Sequence, residues 1–125
     1  MSTILIIEDN EKNMKLVRDI LRHAGLATLE TASGVEGVRL ACKHRPDLVL
    51  MDIQLPDIDG IEALRQIRTD PALDAMPVVA VSASVMPEEL HQIAASGFDA
   101  YVTKPIALKD FLATVRRFLE QGRST

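Results

Sequence analysis

Three short runs of apolar residues, each followed by a polar side chain, constrain the fold of this 125-residue chain most strongly. The runs cover residues 4–7, 48–51 and 78–81, and they end at Glu8, Asp52 and Ser82. Runs that are apolar throughout are typical of strands buried on both faces of a parallel sheet. Because stretches of helical periodicity separate them, the sequence predicts repeated βα units around one parallel sheet.

The remaining pattern completes five predicted βα units. We expect strands over residues 3–7, 26–31, 48–52, 78–82 and 99–103. We expect a first helix from near Glu11 to Ala24, with Gly25 as its stop, and a second from Val35 to before Pro46. The third should begin at the capping box of Asp59 and Glu62 and end at Asp70. The fourth should lie around residues 90–97, and the fifth should run from Leu108 to Leu119. Right-handed crossovers, with the three most apolar strands at the centre, predict an α/β, flavodoxin-like sheet of order 2-1-3-4-5.

Size and composition restrict the class of protein. The length predicts one domain over residues 1–125 with no effector domain, and the 3% aromatic content predicts an aliphatic core. A formal net charge of −4 gives no support for nucleic-acid binding. No apolar run approaches the roughly 20 residues that span a bilayer, so we expect no membrane insertion. Cys42 is the single cysteine, which excludes an intrachain disulfide and favours a reducing, cytoplasmic location.

The polar residues at the strand ends form the candidate functional site. The carboxyl ends of parallel strands share one edge of the sheet, and Glu8, Asp9 and Asp52 flank the predicted switch point between strands one and three. Clustered carboxylates raise each other's pKa values, and a hard divalent cation such as Mg²⁺ relieves this repulsion. A carboxylate beside such a cation can attack phosphorus and form an aspartyl phosphate. The sequence therefore predicts a metal-dependent phosphoryl site, although each acid taken singly is as often a helix cap or turn residue.

Two further residues suit the same chemistry. Lys104 follows the fifth predicted strand and can supply positive charge to a moving phosphoryl group, with Pro105 stiffening its turn. The hydroxyl of Ser82 can donate to a phosphoryl oxygen. Each has a plainer alternative, because a lone lysine at a strand end is usually solvated and a strand-end serine often bonds its own backbone.

Five motifs, in this order and at these spacings, resemble the receiver domains of two-component response regulators. They are residues 7–10, residues 50–56, Asp59-Gly60, residues 81–83 and Lys104-Pro105. The resemblance covers essentially the whole chain. Residues 8–17 and 51–56 are most similar to stand-alone receivers of the DivK type and to receivers attached to hybrid kinases.

The resemblance implies a phosphoacceptor and a metal site. Asp52 would be the phosphoacceptor. Mg²⁺ would be held by Asp9, Asp52 and the backbone carbonyl of Gln54, with Glu8 acting through water.

The resemblance also implies a conformational switch. Ser82 and Lys104 would bind the phosphoryl oxygens, and the Lys104–Pro105 peptide bond would be cis. Tyr101 matches the switch aromatic of the family and would turn inward as Ser82 moves, whereas composition alone describes it as a half-buried residue of an edge strand. Gln54 and Ser84 stand where the family tunes the lifetime of the phosphoryl group.

The implied function is a single-domain response regulator, not an enzyme, that assists its own phosphotransfer and autodephosphorylation. A histidine kinase or a histidine phosphotransfer protein would donate the phosphoryl group, and a downstream protein would bind the face of helix four, strand five and helix five. One alternative is a phosphorelay intermediate or phosphate sink without conformational output. A small aspartyl-phosphate phosphatase is disfavoured because Gln54 stands where such enzymes need a second acid, and a flavin binder because acids follow the first strand.

Overall fold

Strands and helices alternate along the chain, as the periodicity predicts. In the computed structural model, which describes residues 2–83 and 86–122, the strands are β1 (Thr3–Ile7), β2 (Ala27–Thr31), β3 (Leu48–Asp52), β4 (Val78–Ser82) and β5 (Ala100–Thr103). The helices are α1 (Glu11–His23), α2 (Gly34–His44), α3 (Gly60–Ile67), α4 (Pro87–Ala95) and α5 (Leu108–Gln121), with a 3₁₀ turn over Pro71–Leu73. Within the described ranges, no helix is long and apolar enough to cross a bilayer.

The five strands form one parallel sheet in the order β2-β1-β3-β4-β5, which confirms the predicted flavodoxin-like α/β fold. β3 and β4 are buried along their whole length, whereas the edge strands β2 and β5 are partly exposed. The register sets Ile7 beside Met51 and Asp52 beside Val81. The carboxyl ends of the three central strands are therefore nearly level, and the polar residues that follow them meet at one edge.

Helices cover both faces of the sheet, because alternate residues of each strand point to opposite sides. One face packs against α2, α3 and α4 through Leu5, Ile7, Val49, Met51, Val78 and Ala80. The other packs against α1 and α5 through Ile4, Ile6, Leu48, Leu50, Val79 and Val81. The strand ends that carry the polar residues are thus held on a frame that is packed on both sides.

The first helix ends one residue earlier, and the second strand begins one residue later, than the periodicity predicts. Gly25 has a φ of 85° and ends α1 in the left-handed region, as predicted. The amide of Leu26 donates to the carbonyl of Leu21 at 3.0 Å, so Leu26 takes part in the hydrogen bonding that ends the helix and not in the sheet. β2 therefore begins at Ala27.

The third helix is shorter than predicted. Asp59 is its N-cap, and its side chain accepts from the amide of Glu62 at 2.8 Å, as the capping box predicts. The carboxylate of Glu62 binds Arg65, so an ion pair replaces the second half of the predicted box. The helix ends at Ile67, because Asp70 caps the separate 3₁₀ turn that follows.

Candidate functional site

Three carboxylates meet where β1 and β3 end. One oxygen from each of Glu8, Asp9 and Asp52 lies within 4.8 Å of the other two. Glu8 and Asp52 are each 4% exposed, whereas Asp9 is open to solvent. The structure brings together the three acids that the sequence analysis places at the metal site.

Lys104 follows β5 directly, and its ammonium group lies between the two buried acids. Its Nζ atom donates to Oδ2 of Asp52 at 3.1 Å and to Oε1 of Glu8 at 3.2 Å. Its backbone amide donates to the carbonyl of Ser82 at 2.8 Å, which fixes the turn beside the site. The Lys104–Pro105 peptide bond is cis, as the resemblance implies. With a side chain only 16% exposed, Lys104 is not the solvated lysine of the plainer alternative.

Burial and the neighbouring charges shift the pKa values of Glu8 and Lys104. Burial, assisted by the neighbouring Asp52, raises the pKa of Glu8 from 4.5 to about 7, although Lys104 opposes the shift. Burial also disfavours the charged form of Lys104, but Asp52 and Glu8 outweigh it, so the pKa of Lys104 lies above its ordinary value. One ammonium group thus compensates two buried acids, and a further cation would be accommodated favourably.

The loop after β3 folds back against Asp52. The amide of Gln54 donates to Oδ1 of Asp52 at 3.0 Å, and the amide of Gly60 donates to the carbonyl of Ile53 at 2.8 Å. A Cβ atom at Gly60 would lie 2.7 Å from the carbonyl oxygen of Asp52, so the close approach requires glycine. This packing explains the Asp59-Gly60 motif and holds Gln54 next to Asp52.

The two predicted switch residues lie on neighbouring strands. Ser82 ends β4, is 4% exposed, and borders a cavity of about 220 Å³ that Gln54 also lines. Tyr101 lies in the edge strand β5 and is 43% exposed. The register sets Ser82 beside Thr103. Ser84, the other residue predicted to tune phosphoryl lifetime, lies outside the described residues.

Sequence reasoning missed a contact beside this site. Asp57, in the loop between β3 and α3, accepts hydrogen bonds from Ser33 and from two amides at the start of α2. These partners lie 22 to 24 residues from Asp57 in the chain, so no local pattern signals the contact. The start of α2 could have been recognised in the sequence, because Ser33 and Glu36, three residues later, have the spacing of a capping box.

Known proteins are similar to this chain in both sequence and fold. The family model for the response regulator receiver domain matches residues 4–116. The polar-differentiation response regulator DivK of Brucella anthropi is 43% identical over 117 residues, which cover 94% of this chain and 95% of that protein.

Solved structures of response regulators and receiver domains have the same fold as this chain. The receiver domain of a sensor histidine kinase from Pseudomonas aeruginosa PAO1, with a magnesium ion coordinated in its active site cleft, is similar with a TM-score of 0.90 and 29% identity, covering 96% of this chain and 98% of that one. The chemotaxis response regulator CheY4 of Vibrio cholerae is similar with a TM-score of 0.87 and 25% identity, covering 94% and 98%. Sequence, strand order and acidic cluster therefore lead to one conclusion: the chain belongs to the receiver domain family and is a response regulator of two-component signal transduction.

Proposed function

We propose that this response regulator accepts a phosphoryl group on Asp52 from a histidine kinase or a histidine phosphotransfer protein. One observation carries the proposal. The carboxylate of Asp52 is buried, yet it belongs to a cluster of three acids and lies 3.1 Å from the ammonium of Lys104. Such a concentration of buried charge contributes little to stability and is typical of functional sites.

The acidic cluster fits a hard divalent cation, and Mg²⁺ is the ion we propose. The fit rests on the donors, because Asp9 and Asp52 offer carboxylate oxygens close together at an edge where water can complete the coordination shell. The backbone carbonyl of Gln54 is the proposed third protein ligand, and Glu8 acts through water. Bound Mg²⁺ would neutralise the acids and polarise the incoming phosphoryl group. The magnesium ion in the Pseudomonas receiver supports this assignment.

The residues around Asp52 have separate tasks in the transfer. A carboxylate oxygen of Asp52 attacks phosphorus, and the bond from phosphorus to the donor's histidine nitrogen breaks, leaving its electron pair on nitrogen. Lys104 and the hydroxyl of Ser82 each donate to a phosphoryl oxygen, so charge that develops there is stabilised by groups already in place. Attack of water on the same phosphorus would break its bond to the Asp52 oxygen, regenerate the carboxylate and release inorganic phosphate. The chain thus assists its own dephosphorylation and has no separate substrate.

The signal to a downstream protein would depend on movement of Ser82 towards the phosphoryl group. Tyr101, which is 43% exposed, turns inward and changes the face formed by α4, β5 and α5. Phosphorylation shifts an existing equilibrium between the two arrangements, and a downstream protein binds one better than the other. A formal net charge of −4 supports a protein partner over a nucleic acid.

We further propose that the receiver domain works as a stand-alone, cytoplasmic unit. In support, the match to DivK of Brucella anthropi covers 95% of that protein, so a receiver domain makes up nearly all of it. A single free cysteine, Cys42, is consistent with a reducing compartment.

Mass spectrometry of the intact chain tests the phosphoacceptor. With Mg²⁺ and acetyl phosphate, the wild type should gain the mass of one phosphoryl group and Asp52→Asn should gain none. Asp59→Asn is the matched control, because it makes the same change at an exposed N-cap where asparagine caps about as well as aspartate. Equal labelling of the wild type and Asp52→Asn would reject the proposed acceptor.

A further inference from the structure

The carboxylate of Asp57 joins the β3–α3 loop to the start of α2. Its Oδ1 accepts from the amide of Gly34 at 2.9 Å, and its Oδ2 accepts from the amide of Val35 at 3.0 Å and the hydroxyl of Ser33 at 2.7 Å. The oxygen of Ser33 accepts from the amide of Glu36 at 3.1 Å. The first amides of a helix have no partner within it, and here a residue of another loop satisfies two of them.

Packing and charge support the same junction. A Cβ atom at Gly34 would lie 2.7 Å from Cγ1 of Ile58 and 3.1 Å from Cδ1 of Leu55, so the helix start rests directly on the loop. The hydrogen bonds from Ser33 and from the helix amides hold the pKa of Asp57 well below its usual range. An ionised carboxylate at a helix N-terminus is also favoured by the helix dipole.

The loop that Asp57 fixes contains the proposed metal ligand Gln54. The amide of Gln54 bonds to Asp52, and the amide of Gly60 closes the loop on Ile53. Both hydrogen bonds lie at the ends of the loop, next to β3 and α3, the two elements that the loop connects. Asp57 adds a third hydrogen-bonded attachment, near the tip of the loop, and this one joins the loop to the start of α2.

We propose, on the basis of the function proposed above, that Asp57 is a positioning residue for the Mg²⁺ site. By tying the loop to α2, it fixes the direction of the Gln54 backbone carbonyl. Asp57 touches neither the ion nor the phosphoryl group. Residues that orient a metal ligand lower the cost of ordering it, and their loss weakens metal binding. Removing Asp57 should therefore raise the Mg²⁺ concentration needed for phosphorylation while leaving the maximum extent of labelling unchanged.

The test is an Mg²⁺ titration followed through the backbone amide resonances of residues 52–54, with hydrogen exchange of the metal-free chain measured in parallel. Asp57→Ala should raise the dissociation constant for Mg²⁺ by roughly tenfold and speed exchange at Gly34 and Val35. Asp47→Ala is the matched control, because Asp47 is also an exposed aspartate that accepts a distant backbone amide, that of Thr3 at 2.8 Å, but at the opposite edge of the sheet. It should leave the dissociation constant unchanged within about twofold.

The outcomes separate this inference from the proposed function. If the wild type shows no Mg²⁺ binding at residues 52–54, the proposed metal site fails and the role of Asp57 fails with it. If the wild type binds and Asp57→Ala binds equally well, while exchange at Gly34 and Val35 is faster, only the positioning role is overturned. Should Asp57→Ala not fold, Asp57→Asn carries the same comparison, because its amide oxygen retains part of the junction. Unchanged affinity in that variant, with faster exchange at the same amides, would also overturn the role.

Discussion

The ammonium of Lys104 lies 3.1 Å from the carboxylate of Asp52, and this ion pair is the centre of the resting site. The cation already stands where the charge of a phosphoryl group on Asp52 would develop. Groups that are in place before reaction need little reorganisation, which is the main source of electrostatic catalysis. The same contact neutralises part of the charge of the acidic cluster before any phosphodonor arrives.

Replacing Lys104 by methionine should slow labelling of Asp52 by acetyl phosphate by roughly 100-fold, because a donor to the phosphoryl oxygens is lost. Lys109→Met is the matched control, since Lys109 is an exposed lysine of α5. Time courses of intact mass at fixed Mg²⁺ measure both rates. Equal rates for Lys104→Met and the wild type would contradict the role of the ammonium group.

The stability of the metal-free chain should depend on pH through Glu8. The pKa of Glu8 is about 7 in the folded chain against an ordinary value of 4.5, so the folded state binds more protons between these two values. The free energy of unfolding should therefore fall as pH rises from 4.5 to about 7, by no more than about 3 kcal/mol. Urea denaturation followed by circular dichroism measures this slope. Glu8→Gln should lose the part of this pH dependence that comes from Glu8. If the free energy of unfolding changes with pH identically in Glu8→Gln and the wild type, the predicted role of Glu8 is wrong.

Tyr101 gives a direct optical test of the switch, because the chain has one tyrosine and no tryptophan. Phosphorylation should turn its ring inward and reduce quenching of its fluorescence by acrylamide. Ser82→Ala should still be labelled at Asp52 but should leave the quenching of Tyr101 as in the unphosphorylated chain. Labelling of the wild type without any change at Tyr101 would instead favour the phosphorelay or phosphate-sink alternative.

Arg68 and Asp99 form an ion pair that should matter for stability alone. Their side chains are 19% and 6% exposed, and the guanidinium of Arg68 also donates to the carbonyls of Leu73 and Met76. Asp99→Ala removes the anionic partner of a largely buried cation, which should lower the free energy of unfolding by about 3–5 kcal/mol. Urea denaturation measures the loss. Arg65→Met, which breaks the exposed pair with Glu62, should change the free energy of unfolding little. Equal effects of the two substitutions would contradict this account.

The sequence predicted the sheet best where burial is complete. The bounds of β1, β3 and β4 match the prediction, because each apolar run that is buried on both faces ends at a polar residue, where the chain leaves the sheet. The same rule placed the acids of the site at one edge. Helix ends were predicted less closely, because caps and competing hydrogen bonds such as that of Leu26 decide them.

Long-range polar contacts could not be predicted from local pattern. Asp57 and its partner Ser33 are 24 residues apart, and Arg68 and Asp99 are 31 apart. Each of these residues is of a type that usually lies at the protein surface, and only the packing of the helices and strands brings the partners together. The roles proposed for Tyr101 and for the Gln54 carbonyl rest on the family resemblance, because neither residue type indicates such a role by itself.

Locating the phosphoryl group is the most direct test of the central claim. Borohydride reduces an acyl phosphate and leaves homoserine in place of the aspartate, so peptide mapping after treatment with acetyl phosphate and Mg²⁺ identifies the acceptor. We predict homoserine at position 52, and none when a chelator removes the divalent cation. Homoserine at another acid, or equal yield at position 52 with and without the cation, would contradict the account.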